Sequence, residues 1–326
     1  MARTAHELQQ DVYYFTYGPH PPVARISPGD SVRAKTVDAL GWDDQGNALP
    51  PQKMQSDGSV EFLDVNPQVG PVFVEGAEPG DMLAVKIDSV QLTRGWAWSR
   101  FIPGFGVLGV EGEVTGPTGL NPPLPEMEFR WTYNDDLTEA SIDLPSSRLG
   151  RATIPLHPFL GCIGVCPRFG ETIDSLTPAN HGANMDCIET APGTTVYLPV
   201  FVPGALLFFG DGHAAQGDGE ACGVALEAST ITELTVDLVK DYSISWPRFE
   251  NDDYIMTVGN TRPLIDAVRI AKTEMVLWLE RDYGFDRWEA FQLLSQVCRI
   301  RVGNVVDPKY TIVVKFPKTQ LPGGRA

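Results

Sequence analysis

Apolar and polar residues alternate in the first readable elements. Ser31 to Asp38 (SVRAKTVD) and Leu83 to Val90 (LAVKIDSV) follow the period of a half-buried strand. Each comes after a turn signal, SPGD at 27–30 and EPGD at 78–81. There Pro then Gly presets a tight turn and Asp helps to close it. Between 151 and 240 the pattern changes to short continuous apolar runs (FLGCIGVCP, TVYLPVFVPGALLFFG, GVALEAS, ITELTVDLV) separated by Gly-rich turns, as in buried strands. Between 262 and 299 the period lengthens. Leu264, Val268, Ala271, Met275, Trp278 and Leu279 recur at helical spacing, and Gly284 ends the run. Asp286 with Glu289 opens a second helix, for which Phe291, Leu294 and Val297 are the predicted apolar face. Tyr310 to Phe316 (YTIVVKF) returns to a strand.

The predicted fold is therefore mainly β, a β-sandwich-like body with Gly/Pro-rich loops, plus a C-terminal α-helical hairpin, α+β overall. No linker divides the chain, so one unit over 1–326 is expected. Its sub-regions are a β-rich part (1–150), a β-rich active-site part (151–260), and the hairpin with a final strand (261–326). Residues 101–150, with IPGFGVLG and TGPTGLNPPLPE, read as a loop over a pocket or a subunit interface. Its aromatics Phe101, Phe105, Phe129 and Trp131 argue for order.

Composition sharpens this picture. Gly (32) and Pro (27) fit many turns between short strands, and 43% hydrophobic with 21% charged residues is ordinary for a globular chain. The net charge of −17 repels phosphate backbones and anionic membrane surfaces, which excludes nucleic acid and membrane as expected partners. It also supplies carboxylates as cation ligands. Five cysteines, with no CxxC pair, point to free thiols in a reducing compartment. The segment MARTAHELQQDVYYF lacks the pattern of a signal peptide, and no apolar run is long enough to span a bilayer. A cytoplasmic protein is expected.

The chemistry concentrates in Gly210 to Glu220, GDGHAAQGDGE. The chain has no GxSxG elbow, HExxH helix, P-loop or Rossmann glycine motif. In GDGHAAQGDGE, Asp211 and His213 are two apart, so on a strand end both face one side. Asp218 and Glu220 repeat that spacing, and the glycines admit close backbone approach. One His with several carboxylates is a ligand set for zinc or mixed cations. The same residues also suit two plain Asp-Gly turns. A metal there would acidify water, and a remaining carboxylate would act as general base. NHGANMD offers His181 and Asp186, and Glu227 follows the apolar run GVAL, where an unpaired acid is costly. His157, His20 and Cys222 read more simply as structural residues.

The runs HPFLGCIGVCP, HGANMD and VYLPVFVPGALLFFGDGHAAQGDGEACGVALE resemble the acetamidase/formamidase family, as do GPVFVEGAEPGD at 70–81 and IPGFGVLG at 102–109. The resemblance runs in order from about Val23 to Pro317. It implies a β-rich homo-oligomeric hydrolase of small carboxamides or lactams, associated with zinc. Through the matching motifs it implies roles for Asp186, His213, Asp218 and Glu227. Members often carry His where this chain has Asn66, and YFTYGPHPPV and TGLNPPLPEMEFRW also depart, so these regions are expected to shape the pocket.

Taken with the chemistry, the expected catalytic residues are Glu220, Glu227 and His213. The expected metal ligands are Asp186, His213 and Asp218, for zinc and a second divalent cation such as calcium. Asp211, Gln216, His181 and Phe105 are expected to contact substrate. Two alternatives stand beside this: a non-catalytic β-sandwich binding protein with a structural cation, and a cysteine-nucleophile amidase acting through Cys222.

Overall fold

The computed structural model describes residues 3–10, 12–49, 54–55, 65–108 and 124–323. Both Pro-Gly-Asp turns form as predicted. The Asp30 and Asp81 amides donate back to the Ser27 and Glu78 carbonyls, at 3.0 Å each. Their carboxylates accept from the Ser27 and Glu78 amides at 3.0 and 2.8 Å. The alternating segments that follow are strands, Ser31–Thr36 and Met82–Leu92. In the first of these, Val32, Ala34 and Thr36 point inward.

Among the described residues, two large sheets build the body. One has nine strands, with Thr230–Val239 paired between Ser31–Thr36 and Met82–Leu92, and with Tyr254–Thr261 beside Tyr310–Pro317 further along. The other has twelve, with Leu207–His213 near its centre, flanked by Gln68–Val74, Glu227–Ala228 and Phe159–Val165. Each sheet mixes strands from the N- and C-terminal halves of the chain. The main core joins inward residues of both, such as Val32, Val85, Leu234 and Val236 with Val69, Leu160, Leu207 and Phe209. Phe159–Val165 is buried at all seven positions, as its continuous apolar run predicts. This is the mainly β, α+β architecture expected.

The helical hairpin covers the nine-stranded sheet. Helix α1 (Leu264–Tyr283) ends at Gly284, which adopts a left-handed conformation (φ 69°) and donates its amide to the Leu279 carbonyl. It lies very close to the sheet at Gly259, where an added Cβ would sit 2.2 Å from the Ala267 carbonyl oxygen. Helix α2 (Arg287–Val297) is capped by the Asp286 side chain, which accepts from the Trp288 and Glu289 amides. Its buried residues are Ala290 and Leu294. Phe291, assigned to that face by spacing, is 51% exposed, because one apolar stripe on a helix this short is filled by Ala290 and Leu294.

The loop reading of 101–150 splits. Met127–Tyr133 and Glu139–Leu144 are paired strands, while residues 109–123 lie outside the described residues. All five cysteines are free. Among the described residues no helix is long and apolar enough to cross a membrane.

Candidate active site

Strand Leu207–His213 carries Asp211 and His213 into the interior, where they converge although Asp211 itself is left-handed (φ 54°). His213 Nε2 lies 3.4 Å from Asp211 Oδ2. Glu227 is directly opposite His213 in the antiparallel ladder, and its Oε2 lies 3.5 Å from the same nitrogen. Asp186 arrives from the turn after Gly182–Asn184. Its amide and that of Met185 both donate to the Gly161 carbonyl at 3.1 Å. Glu220 is turned inward by left-handed geometry at Gly219 (φ 83°) and at itself (φ 48°). One donor atom each from Asp186, His213 and Glu220 fall within 4.8 Å of one another, and so do those of Asp211, His213 and Glu227.

A glycine makes this convergence sterically feasible. A Cβ at Gly161 would sit 2.5 Å from Asp211 Oδ2, 2.8 Å from Asp186 Oδ1 and 2.9 Å from His213 Cε1. The glycine therefore leaves the space that three site side chains fill. Gly212, between Asp211 and His213, has the matching role behind the strand, where a Cβ would meet Thr230 Cγ2 at 2.4 Å.

Gln216 sets the histidine tautomer. Its Nε2 donates to the Asp186 and Gly303 carbonyls at 2.8 and 3.0 Å. Its Oε1 is thereby aimed at His213 Nδ1, 2.9 Å away, and can only accept. Nδ1 therefore carries hydrogen, and Nε2 faces two carboxylates. That face demands positive charge, either a proton on Nε2 or a cation held by its lone pair.

Three amides brace the acids. Asn66 Nδ2 donates to Asp211 Oδ2 (3.2 Å) and Asn184 Oδ1 (3.0 Å). Asn184 Nδ2 donates to Asp307 Oδ2 (2.9 Å), and Asn304 Nδ2 to Asp186 Oδ2 (3.3 Å). Even so, Asp186 Oδ1, Asp211 Oδ1 and Glu227 Oε2 are buried with no hydrogen-bond partner. Buried carboxylate oxygens left this way are costly unless a cation or proton meets them.

Burial dominates the titration of these groups. It raises Glu227 to about 7 and Asp186 to about 6, with the His213 charge opposing in both cases. Burial and then the Asp186 charge push Glu220 and Asp307 well above the usual carboxyl range. Burial alone would depress His213, but the Glu227 and Asp211 charges outweigh it and hold the imidazole well above its ordinary value.

The cluster forms the floor of a cavity of about 650 Å³. Asp211, His213, Glu220, Glu227 and Asp307 line its base, and the walls are mostly apolar. Phe105 lies on the wall, its ring packed where a Cβ on Gly223 would fall, 2.3 Å away. Of the IPGFGVLG segment, Ile102, Pro103, Gly104 and Phe105 are pocket wall, and the segment is tied to the site turn by the Val107 amide on the Ala221 carbonyl (2.8 Å).

Several residues singled out by sequence lie elsewhere. Asp218 is exposed and pairs with Arg301, which also binds Glu189 Oε1 at 2.8 Å. It shares the spacing of Asp211 and His213, but it sits on a turn, where residues two apart do not share a face. His181 is fully buried against Tyr17 (ring centroids 5.3 Å) and is absent from the cavity wall. Gln216 orients His213 from behind. Cys222 is exposed and lines a second cavity of about 490 Å³ together with His157. Desolvation raises its thiol pKa, opposite to an activated nucleophile.

Sequence reasoning missed Gly161, Asn184, Asn304 and Asp307, and took Asn66 only as a departure. Asp307 had a usable signal, an acid directly after the apolar pair Val305-Val306, the argument that drew attention to Glu227. The asparagines and Gly161 have no local signature, since their partners are distant in sequence.

Fold and site together define a β-sandwich-like protein with a buried histidine–carboxylate centre at the floor of a cavity. The sequence profile of the Acetamidase/Formamidase family matches residues 4–170 and 169–320, and the chain belongs to that family. It is 27% identical over 286 residues to the formamidase of Methylophilus methylotrophus, covering 71% of this chain and 65% of that protein. To the acetamidase of Mycolicibacterium smegmatis it is 26% identical over 279 residues, covering 68% and 64%. The chain thus spans just under two thirds of the length of these curated relatives. The crystal structure of an acetamidase from Yersinia enterocolitica superposes with a TM-score of 0.84 at 40% identity, covering 99% of this chain and 94% of that one.

Proposed function

We propose that the protein is a metal-dependent hydrolase of small carboxamides or lactams, releasing ammonia or an amine and a carboxylate. One observation carries this reading. The Nε2 of His213, its tautomer set by Gln216, lies 3.4 Å from Asp211 Oδ2 and 3.5 Å from Glu227 Oε2 at the floor of a cavity, with Asp186 Oδ1 and Asp211 Oδ1 also buried without partners. The names of the formamidase and acetamidase relatives support the amide class.

The donor set fits a divalent cation. His213 with Asp186 and Asp211, which converge beside Gly161, offers one nitrogen and several oxygens, a set that suits zinc, whereas calcium takes oxygen ligands alone, and this leaves Glu220 and Glu227 for proton transfer. When bound, such a cation supplies Lewis acidity, polarising the amide carbonyl and acidifying water. The chain's own residues supply the proton traffic. Glu227, with a pKa of about 7, both accepts and returns a proton near neutrality. Burial and then the charge of Asp186 raise the Glu220 carboxyl well above its usual range, which suits it to deliver a proton to the departing amine. Asn66 holds Asp211 and Asn304 holds Asp186 in place.

Neither alternative is favoured by a specific observation. The Cys222 thiol is shifted away from reactivity, and a purely structural cation leaves the raised acids and the cavity without a role. Ammonia or amine release is measured across formamide, acetamide, longer primary amides and simple lactams. Turnover of at least one, lost in His213→Ala while the fold is retained, is expected. No turnover of any amide or lactam would sink the proposed reaction.

A further inference from the structure

The cavity is far larger than the substrates for which formamidases and acetamidases are named. A water molecule takes a share of about 30 Å³ in the liquid, so the four heavy atoms of acetamide need roughly 100 Å³. The cavity offers about 650 Å³, within the range of sites that hold drug-sized ligands. Chemistry is confined to its floor. The space above is bounded by Ala39, Leu40, Val65, Trp98, Phe105 and Leu176.

The polar groups on that wall are already engaged. The indole N–H of Trp98 donates to Asp38 Oδ2 at 2.9 Å, and Asp38 is itself paired with Arg94. Trp98 therefore offers the cavity ring surface and no donor. Arg100, also on the wall, is bonded to Glu128 Oε2 at 2.9 Å, with Glu126 at 4.0 Å. Its charge is met by these carboxylates. A substrate carrying its own carboxylate is disfavoured, whereas a neutral apolar group gains by burial.

We infer that the preferred substrate is a neutral carboxamide with a bulky apolar acyl group, branched or aromatic and of about four to seven carbons, seated between Trp98, Phe105 and Leu176. This rests on the amide-hydrolase reading above and adds the substrate class. One methylene in an apolar pocket is worth about 10- to 200-fold in discrimination. The kcat/KM for isobutyramide or benzamide therefore exceeds that for acetamide by at least about 10-fold.

The test measures kcat/KM of the intact protein for formamide, acetamide, isobutyramide, benzamide and the carboxylate-bearing succinamate. A rise towards the bulky neutral amides, with succinamate poor, supports the inference. Activity that peaks at formamide or acetamide and falls with size overturns it while leaving amide hydrolysis intact. Silence on all of them overturns it, and silence on simple lactams as well overturns both. Filling the cavity with Ala39→Leu or Leu176→Phe is expected to lower the benzamide-to-acetamide ratio about 10-fold. An unchanged ratio in both variants also overturns it.

Discussion

Replacement of Gly161 by alanine perturbs the centre with a single methyl group. Gly161 is not among the residues with positive φ, so alanine meets no backbone penalty and the effect is purely steric. The new Cβ would lie 2.5 Å from Asp211 Oδ2, 2.8 Å from Asp186 Oδ1 and 2.9 Å from His213 Cε1. Ordinary contact begins near 3.4 Å, so at least the Asp211 carboxylate shifts by roughly 1 Å, and a misplacement of that size can cost about 100-fold in rate. That corresponds to about 2.7 kcal/mol of transition-state stabilisation. Overpacking a tight interior also costs about 1–3 kcal/mol of stability. The assay is amide turnover alongside chemical denaturation, with Gly217→Ala as control. Gly217 is in the same segment as His213 but has nothing within 4 Å of its added Cβ, so that variant should match the parent. Retention of kcat/KM within about threefold in Gly161→Ala would refute the claim that this glycine admits the three side chains.

Two further outcomes follow from the same geometry. Gln216→Leu frees the His213 tautomer, and such orienting partners are worth about 10- to 100-fold in metal affinity or activity; metal titration and turnover both read it, and parent-like values in both would count against the tautomer assignment. His181 is buried with neither ring nitrogen partnered, and burial, reinforced by the Lys309 charge, lowers its pKa to about 3. Its folded pKa lies below the unfolded value of about 6.5, so its contribution is intact above pH 6.5 and lost progressively as pH falls towards 3. Denaturation of the parent and of His181→Leu should diverge by about 1.4 kcal/mol between pH 7.5 and 5.5, the parent losing more. Parallel profiles would contradict a neutral buried imidazole.

The sequence was most legible where local pattern alone decides structure. Strict alternation placed Ser31–Thr36 and Met82–Leu92 to within two residues at each end, and Gly284 and Asp286 marked the end of one helix and the start of the next. The same rule succeeded and failed within GDGHAAQGDGE. Asp211 and His213 lie on a strand and do meet, at 3.4 Å, although Asp211 departs from extended geometry (φ 54°). Asp218 and Glu220 lie on a turn reversed at Gly219, which sends one side chain to Arg301 and the other to the site. Asp307 and Asn184 meet across 123 residues of chain, and no local spacing encodes that contact. Phe291 shows a further limit, since periodicity assigns a face without knowing how much of it the neighbouring sheet covers.

The central claim is that a cation on His213 and its neighbouring carboxylates is required for amide hydrolysis. The most direct test is the metal content of the purified protein, measured with amide turnover before chelation, after chelation and after readdition of zinc. The account predicts a divalent cation in the active protein, loss of turnover on its removal and recovery on readdition, with neither binding nor recovery in His213→Ala. Full turnover by metal-free protein would contradict it.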